Sequence, residues 1–281
     1  MEELISVLAK TVSSSQVDQN EAVKYIQEYT QRDFTGFLQA LADVLFNQQN
    51  QPVVRAAAGL QLKNQLTARD EALRQQQQEK WRCLPEPTRL YIKERVFQAL
   101  GTEIFRPSSA PQCVAYIAVV ELPEGRWPGL IPALASNVTN QESTQQRRLA
   151  SIEAIGYICQ DIDQSFIQES DSNHILNAIV LHGMKDTEID EVKLAATTAL
   201  LNSLEFTESN FRREIERDLI MEAVCKATQS SNIQISVVAL QCLVKIMSLY
   251  YQYMEKYMSV ALYPITTTAM KSENDDVALQ G

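Results

Sequence analysis

Val238-Ala239-Leu240-Gln241 returns 39 residues later as Val277-Ala278-Leu279-Gln280, one residue before the last position of the sequence. A repeated unit at this spacing is typical of a solenoid of stacked helices, in which neighbouring repeats bury one continuous core. Because the second copy stops inside a repeat, the pattern predicts that the chain is part of a longer array. It also indicates that function resides on the surfaces of the helices and not in a catalytic pocket.

Five segments share an alanine-rich apolar stripe at helical spacing. Aligned on their last apolar residue, successive stripes lie 55, 38, 45 and 43 residues apart. Most of these intervals are close to the period of HEAT or armadillo repeats, about 40–47 residues. The longest interval indicates an insertion around Arg69 to Gln78. The stripes are Arg55–Leu62, Gln112–Ile117, Arg148–Ile155, Val192–Leu200 and Val237–Leu243.

The segments between the stripes predict a second helix in each repeat. With a first pair at Glu2–Thr11 and Gln16–Thr30, they give about six helix pairs and the start of a seventh. The predicted fold is therefore all-α: one α-solenoid of HEAT repeats over residues 1–281, wound as a right-handed superhelical array. The low content of Gly (8) and Pro (9) argues against a turn-rich β protein. The predicted second helices are Phe34–Phe46, Pro87–Leu100, Pro128–Asn137, Ser172–Met184, Phe211–Thr228 and Met254–Lys271.

The charge balance is acidic, with a formal net charge of −10. This balance disfavours nucleic acid or an anionic membrane as the main partner and is compatible with basic proteins, although it could equally serve only solubility. No uninterrupted apolar run reaches the length of a membrane span, about 18 residues. The first residues are acidic where a signal peptide needs bases, so we expect an intracellular protein.

No residue pattern points to catalysis, a cofactor or a metal. The two histidines, His174 and His182, lack further ligands nearby in the sequence, and no phosphate-binding loop, dinucleotide fingerprint or nucleophile elbow occurs. The five cysteines form no C-x-x-C pair, which predicts reduced and mostly buried thiols. An enzyme is accordingly the least favoured reading. The cysteines are Cys83, Cys113, Cys159, Cys225 and Cys242.

Four stretches are more specific than a generic helical repeat. They are AAGLQLKN at 57–64, AIGYICQDID at 154–163, VKLAATTALLNSLEFT at 192–207 and KIMSLYYQYM at 245–254. Together they resemble the importin-β family of karyopherin-β nuclear transport receptors, and the similarity runs the whole length of the chain. Members of that family are roughly three times longer, so the resemblance implies an N-terminal fragment.

The resemblance implies a carrier and not a catalyst. The family binds Phe-Gly repeats of nucleoporins and releases cargo when the GTP form of Ran binds its N-terminal repeats. It implies a Ran-binding half at 1–170 and a nucleoporin-binding half at 171–281, in a protein of the cytoplasm, the nucleus and the pores of the nuclear envelope. The importin-α adaptor and cargo would be held mostly by later repeats, and neither membrane nor nucleic acid is expected as a direct partner.

The same resemblance places Phe-Gly pockets between neighbouring first helices of repeats five, six and seven. The chain departs from the usual pattern at three positions, with Val180 and Leu219 for Ile and Phe, and Asn177 for Thr. Without the resemblance, the apolar members would be assigned to the core between repeats. The first pocket comprises Leu176, Asn177, Val180, Glu216, Leu219 and Ile220, and the second uses Tyr257 and Ile265.

For Ran, the resemblance points to Lys63, Asn64 and Arg69 on the first repeats. Arg69 replaces a lysine, which keeps the charge and changes the shape of the head group. The alternative for these residues is a solvated basic helix end. For the whole chain, the alternative is a rigid HEAT-repeat scaffold of the phosphatase or coat-adaptor type, which needs no exposed apolar slot between its outer helices.

Overall fold

The computed structural model describes residues 1–280, and in this range it contains helices and no strand, which confirms the all-α prediction. Short 3-10 turns and two π-helical stretches, Asn177–Gly183 and Met258–Leu262, interrupt the α-helices. The α-helices are α1 (Glu2–Lys10), α2 (Gln16–Arg32), α3 (Phe34–Phe46), α4 (Pro52–Asn64), α5 (Glu71–Arg82), α6 (Glu86–Gln98), α7 (Ser109–Glu121), α8 (Leu130–Thr139), α9 (Gln145–Asp161), α10 (Glu169–Leu176), α11 (Asp190–Ser203), α12 (Glu208–Arg212), α13 (Glu214–Ala227), α14 (Ile233–Tyr250), α15 (Glu255–Tyr257), α16 (Tyr263–Ala269) and α17 (Asp275–Ala278).

The helices form two compact units, Met1–Trp127 and the residues from Pro128 onward. In the first unit, α3 pairs with α4 and α6 with α7, and the two hairpins stack with α3 on α6 and α4 on α7. Helix α1 packs on α2 and α4 at the start of the stack. The sequence insertion between the first two alanine-rich stripes contains helix α5.

The second unit repeats the same arrangement. Helix α8 pairs with α9, the π-helical continuation of α10 pairs with α11, and α13 pairs with α14. Helices α9, α11 and α14, which carry the alanine-rich stripes, contact one another in sequence and form the alanine-rich row. With the pairs of the first unit, this gives the predicted six helix pairs, and α15 to α17 begin the seventh.

Several predicted helices differ from the observed ones at their ends or in their interior. The helix predicted from Pro128 begins at Leu130, after Gly129 as the N-cap. The helix predicted over Phe211–Thr228 is divided at Arg213, whose extended backbone ends α12 and starts α13. The π-helical stretch before α16 precedes Pro264, which has no amide hydrogen to donate to the preceding turn.

Consecutive helices approach each other closely through small side chains. A Cβ atom placed on Gly156 of α9 would lie 3.3 Å from the Cβ of Ala199 on α11. In the first unit, a Cβ on Gly59 of α4 would lie 1.9 Å from the Oγ of Ser109 on α7, far inside contact distance. Small residues at these positions bring the backbones together, which explains why the stripes are rich in alanine and glycine.

Side-chain hydrogen bonds between hairpins join residues about one repeat apart. In the second unit, Asn202 Nδ2 donates to the Gly156 carbonyl at 3.0 Å, across 46 residues of sequence. Lys256 Nζ donates to Glu214 Oε1 at 3.0 Å, across 42 residues. These contacts fix each hairpin against its immediate neighbour.

Helix α14 with its following turn, Ile233–Tyr253, is the one described segment long and apolar enough to cross a membrane, with a mean hydropathy of 1.7. Polar residues such as Gln241 and Lys245 divide this segment, so it contains no long uninterrupted apolar run. Within the fold, 44% of the apolar window is buried against the protein, and the helix packs on α11 and α13. These contacts make α14 part of the helical stack of the second unit.

All five cysteines are free thiols. Cys113, Cys159 and Cys242 are buried, Cys225 is half-buried, and Cys83 is exposed. Burial raises the pKa of Cys159 and Cys242 to about 12, because the apolar interior disfavours the thiolate. These two thiols therefore behave as small apolar side chains at neutral pH.

A buried ion cluster fastens α5 to the stack. The carboxylate of Glu121, at 1% exposure, accepts a hydrogen bond from Trp81 Nε1 at 2.8 Å and pairs with Lys93 Nζ at 2.7 Å. Arg89 Nε lies 3.1 Å from the same carboxylate, without the geometry of a hydrogen bond. Trp81 belongs to α5, the two cations to α6 and Glu121 to α7, so one carboxylate joins three helices.

We expect Glu121→Ala to lower the free energy of unfolding by about 3–5 kcal/mol, because it leaves two buried cations without their counter-charge and the Trp81 indole N–H without its acceptor. Chemical denaturation followed by circular dichroism measures the change. Lys24→Ala is the matched control, since Lys24 and Glu28 form an exposed pair at 3.9 Å and its loss should cause no measurable change. Equal stability of the Glu121 variant and the wild-type protein would contradict the assigned role of the cluster.

Candidate peptide-binding cleft and basic surface

A cleft open to solvent lies between α10 with its π-helical continuation on one side and α13 on the other. The π-helical hydrogen bond from Met184 N to the Ile179 carbonyl, at 2.9 Å, connects residues five apart. On this side the wall runs from Asn173 through Leu176 to Val180 and Leu181, at the spacing of one helix face. The two helical segments therefore enclose an apolar slot.

The six residues expected for the first Phe-Gly pocket all line this cleft, which has a volume of about 210 Å³. Three further lining residues were missed. Helical spacing from Asn177 could have indicated Asn173 and Leu181, whereas Asn210 comes from the short helix α12. The complete lining is Asn173, Leu176, Asn177, Val180, Leu181, Asn210, Glu216, Leu219 and Ile220.

The apolar lining has a buried floor and an exposed rim. Ile220 is 2% exposed, and Leu176 and Val180 are each 7% exposed, so these residues also belong to the core between the hairpins. Leu181 on one wall and Leu219 on the other remain 40% and 41% exposed. The site therefore combines core packing with two leucines that an incoming apolar side chain could cover.

A polar network closes one end of the cleft. Arg213 donates from Nη1 to Glu169 at 2.7 Å and pairs through Nε with Glu216 Oε1 at 2.6 Å. These hydrogen bonds raise the pKa of the Arg213 guanidinium. Asn210, at 2% exposure, donates to Glu216 Oε2 at 2.7 Å. The Glu216 carboxylate is therefore held in a fixed orientation at the end of an apolar slot.

The structure places the two residues of the second expected pocket in different surroundings. Tyr257 is 7% exposed, and its hydroxyl donates to Asp218 on α13. Burial is the main cause that raises the pKa of Tyr257. Ile265 lines a separate cleft together with Pro264 and Leu240, and Tyr257 is not among the residues that line it.

The three residues expected for Ran lie together at the end of α4. Lys63 is half-buried and Asn64 is exposed, and Arg69 is exposed in the turn before α5. The Asn64 carbonyl accepts a hydrogen bond from Gln77 Nε2 at 2.8 Å, which ties α5 to this helix end. Within the described chain, neither cation forms an ion pair, so both charges remain available to a partner.

Stacked helical hairpins with an apolar cleft between two of them define an all-α protein of the HEAT-repeat class. Residues 22–102 match the family model of the importin-beta N-terminal domain. Importin subunit beta-1 of Schizosaccharomyces pombe is 40% identical over 274 residues, which cover 97% of this chain and 32% of that protein. The chain thus spans about a third of the length of this curated relative.

Two solved structures extend the comparison to the fold. The Kap95:Nup1 complex superimposes with a TM-score of 0.84 at 35% identity, over 99% of this chain and 33% of that one. A structure in which Kap95p binding induces the switch loops of RanGDP to adopt the GTP-bound conformation gives a TM-score of 0.87, also at 35% identity and over 99% of this chain and 33% of that one. The chain belongs to the importin-β family.

The burial of the cleft residues predicts unequal effects on stability. Ile220→Ala should lower the free energy of unfolding by about 2–5 kcal/mol, because it leaves a cavity in the floor. Leu219→Ala, on the same helix and at the rim, should cost less than about 1 kcal/mol, because much of its side chain is already in water. Thermal and chemical denaturation of the two variants measure the difference. Equal destabilisation would show that the rim leucine belongs to the core.

Proposed function

We propose that this chain supplies the nucleoporin-binding and Ran-binding surfaces of a nuclear import receptor, which carries cargo between cytoplasm and nucleus through the pore. The observation that carries the proposal is the single cleft formed by the six residues that the family resemblance selected. Structural relatives bound to Nup1 and to RanGDP support the same pair of partners. No catalytic role is proposed.

The cleft suits the phenylalanine of a Phe-Gly peptide. An aromatic ring that covers Leu181, Leu219 and the apolar floor gains about 1.5–3 kcal/mol from burial. This gain is smaller than the roughly 4 kcal/mol of a millimolar complex, so a single contact is weak and short-lived. Repeated motifs on one nucleoporin then provide avidity without slow release, which is what a moving carrier requires.

The first repeats would meet Ran through Lys63, Asn64 and Arg69. Two unpaired cations in a chain of net charge −10 favour an acidic patch on the partner and act mainly on the association rate and on specificity. This placement assigns residues 1–170 to Ran and residues 171–281 to nucleoporins. Importin-α and cargo would be bound by repeats outside this sequence.

The nucleoporin proposal is tested by titrating a Phe-Gly repeat peptide. The wild-type protein should bind weakly, and Val180→Asp should abolish binding because it places a charge in the apolar floor. Leu219→Asp should weaken binding as well, and its exposed position makes it less disturbing to the fold. Chemical-shift changes or isothermal titration provide the measurement.

The matched control is Ser248→Asp, which adds the same charge at an exposed position of α14 outside the cleft. Its affinity for the peptide should equal that of the wild-type protein. If the wild-type protein does not bind the peptide, or if both cleft variants bind it as well as the wild-type protein does, the transport role is contradicted and the rigid-scaffold alternative is favoured.

The Ran proposal is tested by double charge reversal, Lys63→Glu with Arg69→Glu. The double variant should bind GTP-loaded Ran more weakly at physiological salt, and the difference should shrink as salt is raised, because the interaction is electrostatic. Surface plasmon resonance with GTP-loaded and GDP-loaded Ran measures both effects. Unchanged affinity of the double variant for GTP-loaded Ran would show that Lys63 and Arg69 do not belong to the interface.

A further inference from the structure

We propose that Asn210 is a positioning residue for peptide binding: its buried side-chain amide sets the spacing of the two cleft walls and aims the Glu216 carboxylate at the bound peptide. The inference rests on the proposed nucleoporin function, because it concerns the same cleft. It adds a residue that neither the repeat pattern nor the family resemblance had selected, and it assigns that residue a specific task.

The hydrogen bonds of Asn210 connect both walls. Its Nδ2 donates to Asn173 Oδ1 at 2.8 Å and to Glu216 Oε2 at 2.7 Å. Its Oδ1 lies 3.2 Å from Ser172 Oγ, whose single hydroxyl proton it shares with the Phe206 carbonyl at 3.1 Å. Ser172 and Asn173 belong to α10, whereas Glu216 belongs to α13. One amide therefore bridges the two helices that form the slot, from a position on α12 that is itself 2% exposed.

The chemistry of the partners fixes the orientation of this amide. An ionised carboxylate can only accept hydrogen bonds, so the nitrogen of Asn210 must face Glu216 and the oxygen must face the Ser172 hydroxyl. Glu216 is held from the other side by Arg213, whose Nη2 lies 2.9 Å from Oε2. The carboxylate is thus restrained on both oxygens and can serve as a preformed acceptor for a backbone N–H of the peptide.

The placement of the amide also distinguishes a positioning role from simple core packing. A buried amide is costly unless its hydrogen bonds are made, and an apolar residue would fill the same space without that requirement. Two of the three partners, Asn173 and Glu216, themselves line the cleft. The hydrogen bonds of Asn210 are therefore directed to the surface that the peptide would touch.

The test is the isosteric substitution Asn210→Asp, which replaces the donor facing Glu216 by a second carboxylate. Repulsion should turn Glu216 away and separate the walls, and we expect about tenfold weaker binding of a Phe-Gly peptide, or about 1.4 kcal/mol. Adding Glu216→Gln should restore most of the lost affinity, because the new amide can donate to the aspartate. A residue that only supported the fold would show no such reciprocal rescue.

Thr207→Val is the matched control. Thr207 is fully buried and donates to the Leu204 carbonyl at 2.8 Å, but it does not line the cleft. The Thr207→Val variant should have a lower melting temperature and an unchanged affinity for the peptide.

If N210D does not fold, Asn173→Ala removes only the exposed end of the bridge and should still weaken binding about threefold.

The outcomes separate the two proposals. A wild-type protein that does not bind the peptide overturns the nucleoporin function and this inference with it. If the wild-type protein binds, wild-type affinity in either N210D or N173A overturns the role of Asn210 alone, as does a failure of the double variant to recover. Weak binding by N210D with recovery in the double variant supports the positioning role.

Discussion

Both units depend on the close contact of small residues on consecutive helices. Gly59 against Ser109 leaves no room for a larger side chain, and at Gly156 an added Cβ would already be in tight contact with Ala199, so the backbones in these rows approach closely. In the second unit, α10 and α13 face each other with larger side chains, among them Leu176, Leu219 and Ile220, and leave a cleft between them. The alanine-rich row of α9, α11 and α14 is therefore tightly packed, whereas the helices paired with it, α10 and α13, carry an accessible groove.

The helix pairs were predictable because each alanine-rich stripe marks one helix and the polar segments between stripes mark the turns. Phe34–Phe46 was predicted with the bounds that α3 shows. The interior of the later helices was not predictable by the same means. The π-helical stretches and the division at Arg213 are local changes in backbone winding, and a periodic apolar pattern does not record such changes.

The candidate cleft was predictable only in part. Burial of Ile220, Leu176 and Val180 agrees with the reading of these residues as core, and only the family resemblance also indicated a slot between them. Asn210 could not be identified from the sequence, because its role depends on partners 37 and 38 residues away. The cleft that Ile265 lines with Pro264 and Leu240 does not include Tyr257, so the pairing expected for the second pocket stays a prediction.

Hydrogen bonds between hairpins that reach only to the next repeat, such as those of Asn202 and Lys256, have a consequence for folding. Ordering each hairpin closes a loop of one repeat, so the entropic barrier stays small and nucleation can begin at any interface. Structure would then propagate outward, and a damaged repeat would disturb its neighbours first. Partial unfolding from one end is therefore expected to be a property of this chain, and hydrogen exchange would reveal it as a gradient of protection along the sequence.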